Sequence, residues 1–363
     1  MNTVALLQDP AGRGGTNTVV SWYRRWNKAQ GICVYECYLD DTRKGWPAKP
    51  ALLDPTGSLA VPRFLPRLHV PQYFAARRQL RRIWSGVEVV HVVGAVCIQG
   101  SLAPATIPAI IWTATTIADE RCSIVPLVSP ARRLLYRSTL PLLRRLEAMA
   151  LTNAKKVYAM SRHTADVLLS YGVDHHKVDV LPVPIDTTRF SPGKTERRGV
   201  LFVGRVLDPR KGFSRVITLA ATSRLTRAHG VAVVSLGEQA AVWPRDLAGA
   251  IRWWGPAEKL EECYRSAEVL VLPSYQEGLG IVAFESLACG TPVVAYRCGG
   301  PDHFLQESGG GIVVDDDQHF RTAVEALLGD AARRQEMGDV GRAWVNRNMN
   351  GASFLGDSAL FSL

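Results

Sequence analysis

Short apolar runs rich in Val and Ile alternate with longer helical stretches, and near residue 199 the alternation starts afresh. The front half offers NTVALLQ, ICVYECYL, VEVVHVV, AIIWTAT, KKVYAMS and VDVLPV. The back half offers RGVLFVG, VAVVSLG, AIRWWG, AEVLVLPS, TPVVAY and GGIVV. Helical patterns fall between them at 16–29, 71–85, 162–171, 211–228, 257–266, 279–288 and 317–328. Apolar strands separated by helices require parallel sheets covered on both faces. The fold class is therefore α/β, with two Rossmann-like domains whose sheets face each other across a cleft at their carboxyl strand ends. The expected division is 1–185, a linker at 186–198 rich in Thr, Pro and charge, a second domain at 199–345, and a C-terminal helix at 346–363 packing back toward the first. A length of 363 residues leaves room for a core in each domain.

No run of 18 apolar residues occurs, so no spanning helix is expected. The start, MNTVALLQDPAGRGG, lacks a basic leader and reads as a first strand rather than a signal peptide. Seven scattered cysteines with no C-x-x-C pair read as buried free thiols in a reducing, cytoplasmic setting. A spacing of four places Cys33 and Cys37 on one face of their strand. Residues 1–190 carry 24 basic against 13 acidic side chains, whereas 191–363 carry 19 against 20. The front half thus holds all of the +10 net charge and points to an anionic partner there.

The back half concentrates the chemistry. In VLFVGRVLDPRKGF, Arg205 and Lys211 follow a strand, where two cations suit a diphosphate. In SYQEGLGIVAFE, a turn enters a helix. Gly278 and Gly280 let backbone N–H groups approach a phosphate, and the helix start adds a positive dipole end. Glu277 stands at that turn, where it could accept from sugar hydroxyls. Glu285, two helical turns on, could grip the vicinal hydroxyls of a ribose.

Several motifs in order resemble the retaining GT-B glycosyltransferases of the large E-x7-E family (family 4, glycosyl transferases group 1): EGLGIVAFE, FVGRVLDPRKGF, ACGTPVVAYRCGGPDHFL and VLPVPIDTTRFSP. The resemblance covers nearly the whole chain and is strongest from about 155 to 315. It implies a GT-B fold and transfer of a hexose from a nucleotide-sugar to a lipid-linked or polysaccharide acceptor, with retained configuration and no metal or other cofactor. It implies that Arg205 and Lys211 hold the donor diphosphate, and that Glu277 and the backbone of Gly278, Leu279 and Gly280 hold the sugar and phosphates. Glu285 would hold the ribose, and Trp254 and Gly255 would line the base pocket. Gly14 and Gly15, in the loop after the first strand, would approach donor phosphates.

The front half departs from that family. Its usual His-Asp pair after the fourth strand is replaced by IIWTATTIADERCS, which puts Thr115 and Thr116 in that neighbourhood. His91 ends the preceding strand, as a cleft residue or a core histidine. His163 follows Ser161 at a strand-to-helix turn, where capping accounts for it. Asp315, Asp316 and Asp317 imitate a metal-binding D-x-D, but their place before a helical run predicts N-capping. Basic stretches place Arg77, Arg78, Arg81 and Arg82 on one helix face. A second stretch mixes Arg132, Arg133, Arg137, Arg144 and Arg145 with leucines, with Pro141 expected to break the helix. Such a helix reads as a contact for an anionic membrane surface, on the inner face of the cell membrane, or as a solvated helix with a buried leucine stripe. Nucleic acid is excluded for want of interleaved aromatics. The competing functional readings are a non-catalytic nucleotide-sugar-binding protein, or a phosphorylase or epimerase of the same fold.

Overall fold

The computed structural model describes residues 3–7, 14–40, 52–53, 59–62, 84–235 and 243–362. They form two units, one of residues 1–125, 129–183 and 352–363, the other of 126–128 and 184–351. The strands of the first are β1 (Thr3–Leu7), β2 (Val34–Asp40), β3 (Leu52–Leu53), β4 (Leu59–Pro62), β5 (Val89–Gly94), β6 (Ala109–Thr113), β7 (Ala154–Ala159) and β8 (Val178–Val180). Their order is β3-β4-β2-β1-β5-β6-β7-β8. Every pairing is parallel except β3 with β4. The second unit orders β9 (Val200–Val203), β10 (Val231–Val234), β11 (Ile251–Gly255), β12 (Val269–Leu272), β13 (Val293–Tyr296) and β14 (Gly311–Val314) as β11-β10-β9-β12-β13-β14, all parallel. The strand order reverses between β1 and β5 in one sheet and between β9 and β12 in the other. Loops leaving the carboxyl ends of such a pair diverge and open a crevice.

The central strands are buried along their whole length, as in β5, β6, β12 and β13. This is why they read as unbroken apolar runs rather than alternating ones. All twelve strand runs read from the sequence form strands. The helical pattern at 211–228 divides at Ser223, whose side chain accepts from the Thr226 N–H and starts a second helix. The pattern at 71–85 falls almost wholly outside the described residues. Pro141 does not break its helix: Pro130–Thr152 runs through it. The carbonyl that loses its partner belongs to Arg137, which is exposed, so the lost bond falls on a solvent-facing turn. Cys33 lies just before β2 and is exposed, so it shares no strand face with buried Cys37. Helices at Ile117–Ile124, Asp302–Ser308 and Ala331–Asn348 were not legible as periodic patterns.

Residues 352–362 close over the aromatic core of the first unit. Phe361 packs edge-on to Tyr23, Trp26, Trp112 and Tyr158, with centroids 5.1–5.6 Å away. Phe354 stacks on Trp112. Trp26 donates to the Asp357 carbonyl and Gln30 to the Leu355 carbonyl. The segment is therefore part of that core. Phe361→Ala is expected to lower the stability of this unit by about 3–5 kcal/mol, read from urea unfolding followed by tryptophan fluorescence. A loss under about 1 kcal/mol would show that the rings close over the gap.

Candidate active site

The chain leaves β9 into the loop 204–212, leaves β12 into 273–280 and leaves β13 into 297–301. Because these strands are neighbours, the three loops meet at one edge of the sheet. The first loop is shaped by Asp208, which caps its short turn through the Arg210 N–H and bonds the side chains of Arg205 (2.6 Å) and Arg210. Burial would raise the Asp208 pKa, but the hydrogen bonds and charges of Arg210, with the charge of Arg205, bring it down to about 2. Gly212 ends the turn with φ 62°, and a Cβ there would lie 2.0 Å from the Pro273 carbonyl oxygen. Only glycine lets this loop seat against the next one.

Lys211 reaches across that seam. Its Nζ lies 2.8 and 2.9 Å from the two carboxylate oxygens of Glu277. Ser274 donates to Oε1 of the same carboxylate at 2.6 Å. The Glu277 N–H bonds the Cys298 carbonyl, and the Gly300 N–H bonds the Glu277 carbonyl. Asp302 in turn accepts from the Cys298 and Gly299 N–H groups, so the third loop holds the turn from behind. A Cβ on Gly300 would meet the Gly278 oxygen at 2.3 Å, which excludes any larger residue there. Gly280, at φ 72° and ψ 49°, starts the helix Ile281–Ala288. The first N–H groups of that helix have no intrahelical acceptor and face outward from its start. The Leu279 side chain is buried, so what it can offer a ligand is its backbone.

Glu285 lies inside this helix and is buried. Tyr264 donates its hydroxyl to Oε2 at 2.8 Å. Burial pushes the carboxyl pKa up to about 7 against the counter-pull of that hydrogen bond. Arg205 keeps half its side chain in solvent, 51% exposed, paired with Asp208. Trp254 is 47% exposed on the edge strand β11, and Gly255 turns at φ 72° with its carbonyl accepting from the Ser235 N–H. The Asp315–Asp317 run is a cap: Asp316 accepts from the His319 N–H, Asp315 pairs with Arg297, and Asp317 accepts from Tyr296.

In the first unit, Gly14 caps the helix Gly15–Ala29 at φ 112°, and both glycines are exposed. Thr116 caps the helix Ile117–Ile124, and Thr115 bonds Asp119. Of the two expectations for His91, a cleft residue or a core histidine, the second holds. It is 2% exposed, accepts from or donates to the Tyr23 hydroxyl at 2.6 Å and packs against Phe361. Burial lowers its pKa to about 4, so it is a neutral core residue. Arg77, Arg78, Arg81 and Arg82 lie outside the described residues. Reading the sequence did not single out Ser274, Asp208 and Asp302, although they lie within the quoted segments, or Tyr264, which lies outside them in the helix Leu260–Arg265. Their roles come from the side chains that they meet in the fold.

Residues 14–189 match the family described as Glycosyltransferase Family 4, and residues 197–330 match Glycosyl transferases group 1. The D-inositol 3-phosphate glycosyltransferase of Segniliparus rotundus is 32% identical over 204 residues, 49% of this chain and 45% of that one. The chain thus spans about half the length of the curated relatives it matches. Among solved structures, sucrose-phosphate synthase from Thermosynechococcus elongatus superimposes with a TM-score of 0.77 at 19% identity, over 98% of this chain and 96% of that one. Anabaena HepE in complex with UDP-glucose gives 0.68 at 14% identity, over 97% of each. These likenesses show the GT-B fold.

The raised pKa of Glu285 makes a pH-dependent stability. In the unfolded chain the carboxyl ionises near 4.5, in the fold near 7. Its contribution is complete below about pH 4.5 and is lost as pH rises through 7. Glu285→Gln removes this titration. The melting temperature of the variant minus that of the wild type is expected to rise from pH 5 to pH 8, reaching a positive value at the upper end. A difference that stays constant across that range would show a carboxylate ionised throughout.

Proposed function

We propose a function from one premise: this chain belongs to the glycosyltransferases of group 1 and family 4, whose family models account for residues 14–189 and 197–330. On that premise it moves a hexose from a nucleotide-sugar to a hydroxyl of a lipid-linked or polysaccharide acceptor. The observation that carries this reading is the Lys211–Glu277–Ser274 cluster beside the glycine turn at the β9/β12 strand reversal. A diphosphate entering there offers Lys211 a stronger anionic partner than Glu277. The Glu277 carboxylate, still held by Ser274, is then available to hydroxyls of the sugar. Arg205 swings from Asp208 to the same diphosphate, and the helix start at Gly280 adds its dipole. Glu285, fixed by Tyr264, holds the ribose, and Trp254 and Gly255 border the base.

Breaking the sugar–phosphate C–O bond places negative charge on the leaving diphosphate and positive charge on the ring. Arg205, Lys211 and the backbone N–H groups stabilise the first of these, which is the charge a metal ion neutralises in other transferases. The proposed course is retaining, with attack on the face that the diphosphate leaves and the acceptor proton passing to a departing phosphate oxygen. Glu277 acts as a positioning group. Lys211→Ala and Arg205→Ala are each expected to lower kcat by about 10²–10³-fold. The donor for that assay comes from a nucleotide-sugar panel screened by thermal shift, where a bound donor raises the melting temperature by mass action. Full turnover in both variants would remove the diphosphate assignment.

The same reading places the enzyme at the inner face of the cell membrane. No described helix is long and apolar enough to cross a membrane. On the helix Pro130–Thr152, Leu135, Leu142 and Met149 recur every seven residues on one exposed stripe. Leu134 is 71% exposed and exposed Arg145 borders the stripe, while exposed Arg137 and Arg144 stand on another side of the helix. Leu143 and Leu146 of the same helix are buried. Each arginine near an anionic leaflet contributes about 1 kcal/mol. Flotation with anionic vesicles that weakens at high salt is the expected result. Equal flotation on neutral and anionic vesicles, or none on either, would exclude this contact.

A further inference from the structure

The helix Pro130–Thr152 runs into the amino end of β7, and the helix Arg162–Ser170 carries the chain from the carboxyl end of β7 back to the amino end of β8. The carboxyl ends of these two helices therefore meet at the amino edge of the first sheet, opposite the edge where open α/β sheets take their substrates. Between them lies a cavity of about 630 Å³, a volume suited to a small molecule or a headgroup. Arg144, Arg145, Glu147 and Thr152 line it from the first helix. Tyr171, Asp174 and Lys177 line it from the turn that follows the second. None of the residues assigned to the donor borders it.

The charges around this cavity do not cancel. Arg144 lies over the Tyr171 ring, 5.4 Å from its centroid, which fixes one wall. None of Arg144, Arg145 and Lys177 forms an ion pair with a described residue. Of the two acids present, Asp174 spends its Oδ1 on the His176 N–H at 3.0 Å. Glu147 is buried and accepts from the Ile117 N–H at 2.8 Å; burial pushes its pKa up to about 7 against the pull of that bond. Unpaired cations around one hollow suit an anion with several acceptor oxygens, such as a phosphate. The apolar surface indicates where that phosphate comes from. The large apolar side chains exposed among the described residues of the first unit all fall on the helix Pro130–Thr152 or between Leu169 and Val180. Leu142 and Met149 stand on the stripe that Arg145 borders, and Leu169 directly precedes Ser170 and Tyr171 of the cavity wall. An apolar rim beside a cationic hollow matches an amphiphile, whereas a free phosphate has no use for the rim.

We propose that this cavity takes the phosphate-bearing headgroup of an anionic phospholipid, with Arg145 and Lys177 on the phosphate, while Leu142 and Met149 enter the acyl layer. The inference rests on the membrane contact proposed above and adds to it a specific headgroup site. The test compares the wild type with Lys177→Gln, inside the cavity, and Arg137→Gln, which removes the same charge from an exposed position on the helix outside it. Flotation with phosphatidylcholine vesicles containing about one-fifth phosphatidylglycerol gives the partition constant. Lys177→Gln is expected to lower it at least about tenfold and Arg137→Gln no more than about fivefold, the share of one charge in diffuse attraction to an anionic leaflet. Calorimetry with dihexanoylphosphatidylglycerol below its micellar concentration is expected to show binding that Lys177→Gln weakens by a similar factor. Inorganic phosphate is expected to bind at least about tenfold more weakly than that lipid. The Lys177 side chain makes no hydrogen bond or ion pair with a described residue, so the variant is expected to fold; should it not, Arg145→Gln carries the same comparison. Equal losses in Lys177→Gln and Arg137→Gln would leave only diffuse attraction and overturn the headgroup site, with the membrane contact intact. Inorganic phosphate binding as tightly as the lipid would overturn the lipid assignment. No flotation of the wild type would remove the membrane contact and this inference together.

Discussion

The ion pair between Lys211 and Glu277 joins two loops that leave adjacent parallel strands, and the local order around it follows from that join. The pair forms because β9 and β12 are sheet neighbours whose carboxyl ends open side by side, although the two residues stand 66 positions apart in the sequence. Ser274 shares the carboxylate, and the third loop grips the turn through Cys298 and Gly300. Glycines 212 and 300 stand where backbone meets backbone too closely for a side chain. A cation and an anion held together in this way form a site that is charged but internally balanced. On the proposed reading, a diphosphate would change the partners of the charges without requiring the loops to be built anew.

Two buried carboxyls show what such order costs. Glu285 and Glu147 each have their pKa raised to about 7 by burial. Each is held by one close donor, the Tyr264 hydroxyl and the Ile117 N–H respectively. Hydrophobic residues would be more favourable at both places if stability alone mattered. In the second unit the carboxyl sits in the helix that begins at the glycine turn, which ties its retention to the site. In the first, Glu147 anchors the helix Ile117–Ile124 to the long helix Pro130–Thr152.

The sequence by itself determined the class of fold and most of its strands, because parallel strands buried on both faces read as short continuous apolar runs bounded by turn residues. It also marked the charged and glycine residues of the turn. Arg205, Lys211, Glu277, Gly278, Gly280 and Glu285 are legible because charge and glycine at strand ends follow a local rule, and the capping role of Asp316 is legible for the same reason. Tertiary structure alone decided which charges meet. Nothing in the spacing says that Lys211 pairs with Glu277 while Arg205 pairs with Asp208, or that Tyr264 faces Glu285. It decided that His91 is core and that His163 meets Asp119, since both outcomes depend on which neighbour the pleat and the helix caps bring alongside. Pro141 passed through its helix because an exposed carbonyl can turn to water, a fact of burial rather than of local preference. Periodicity and turn chemistry act over a few residues and survive in a linear reading, whereas pairing and burial are set by contacts between residues tens of positions apart.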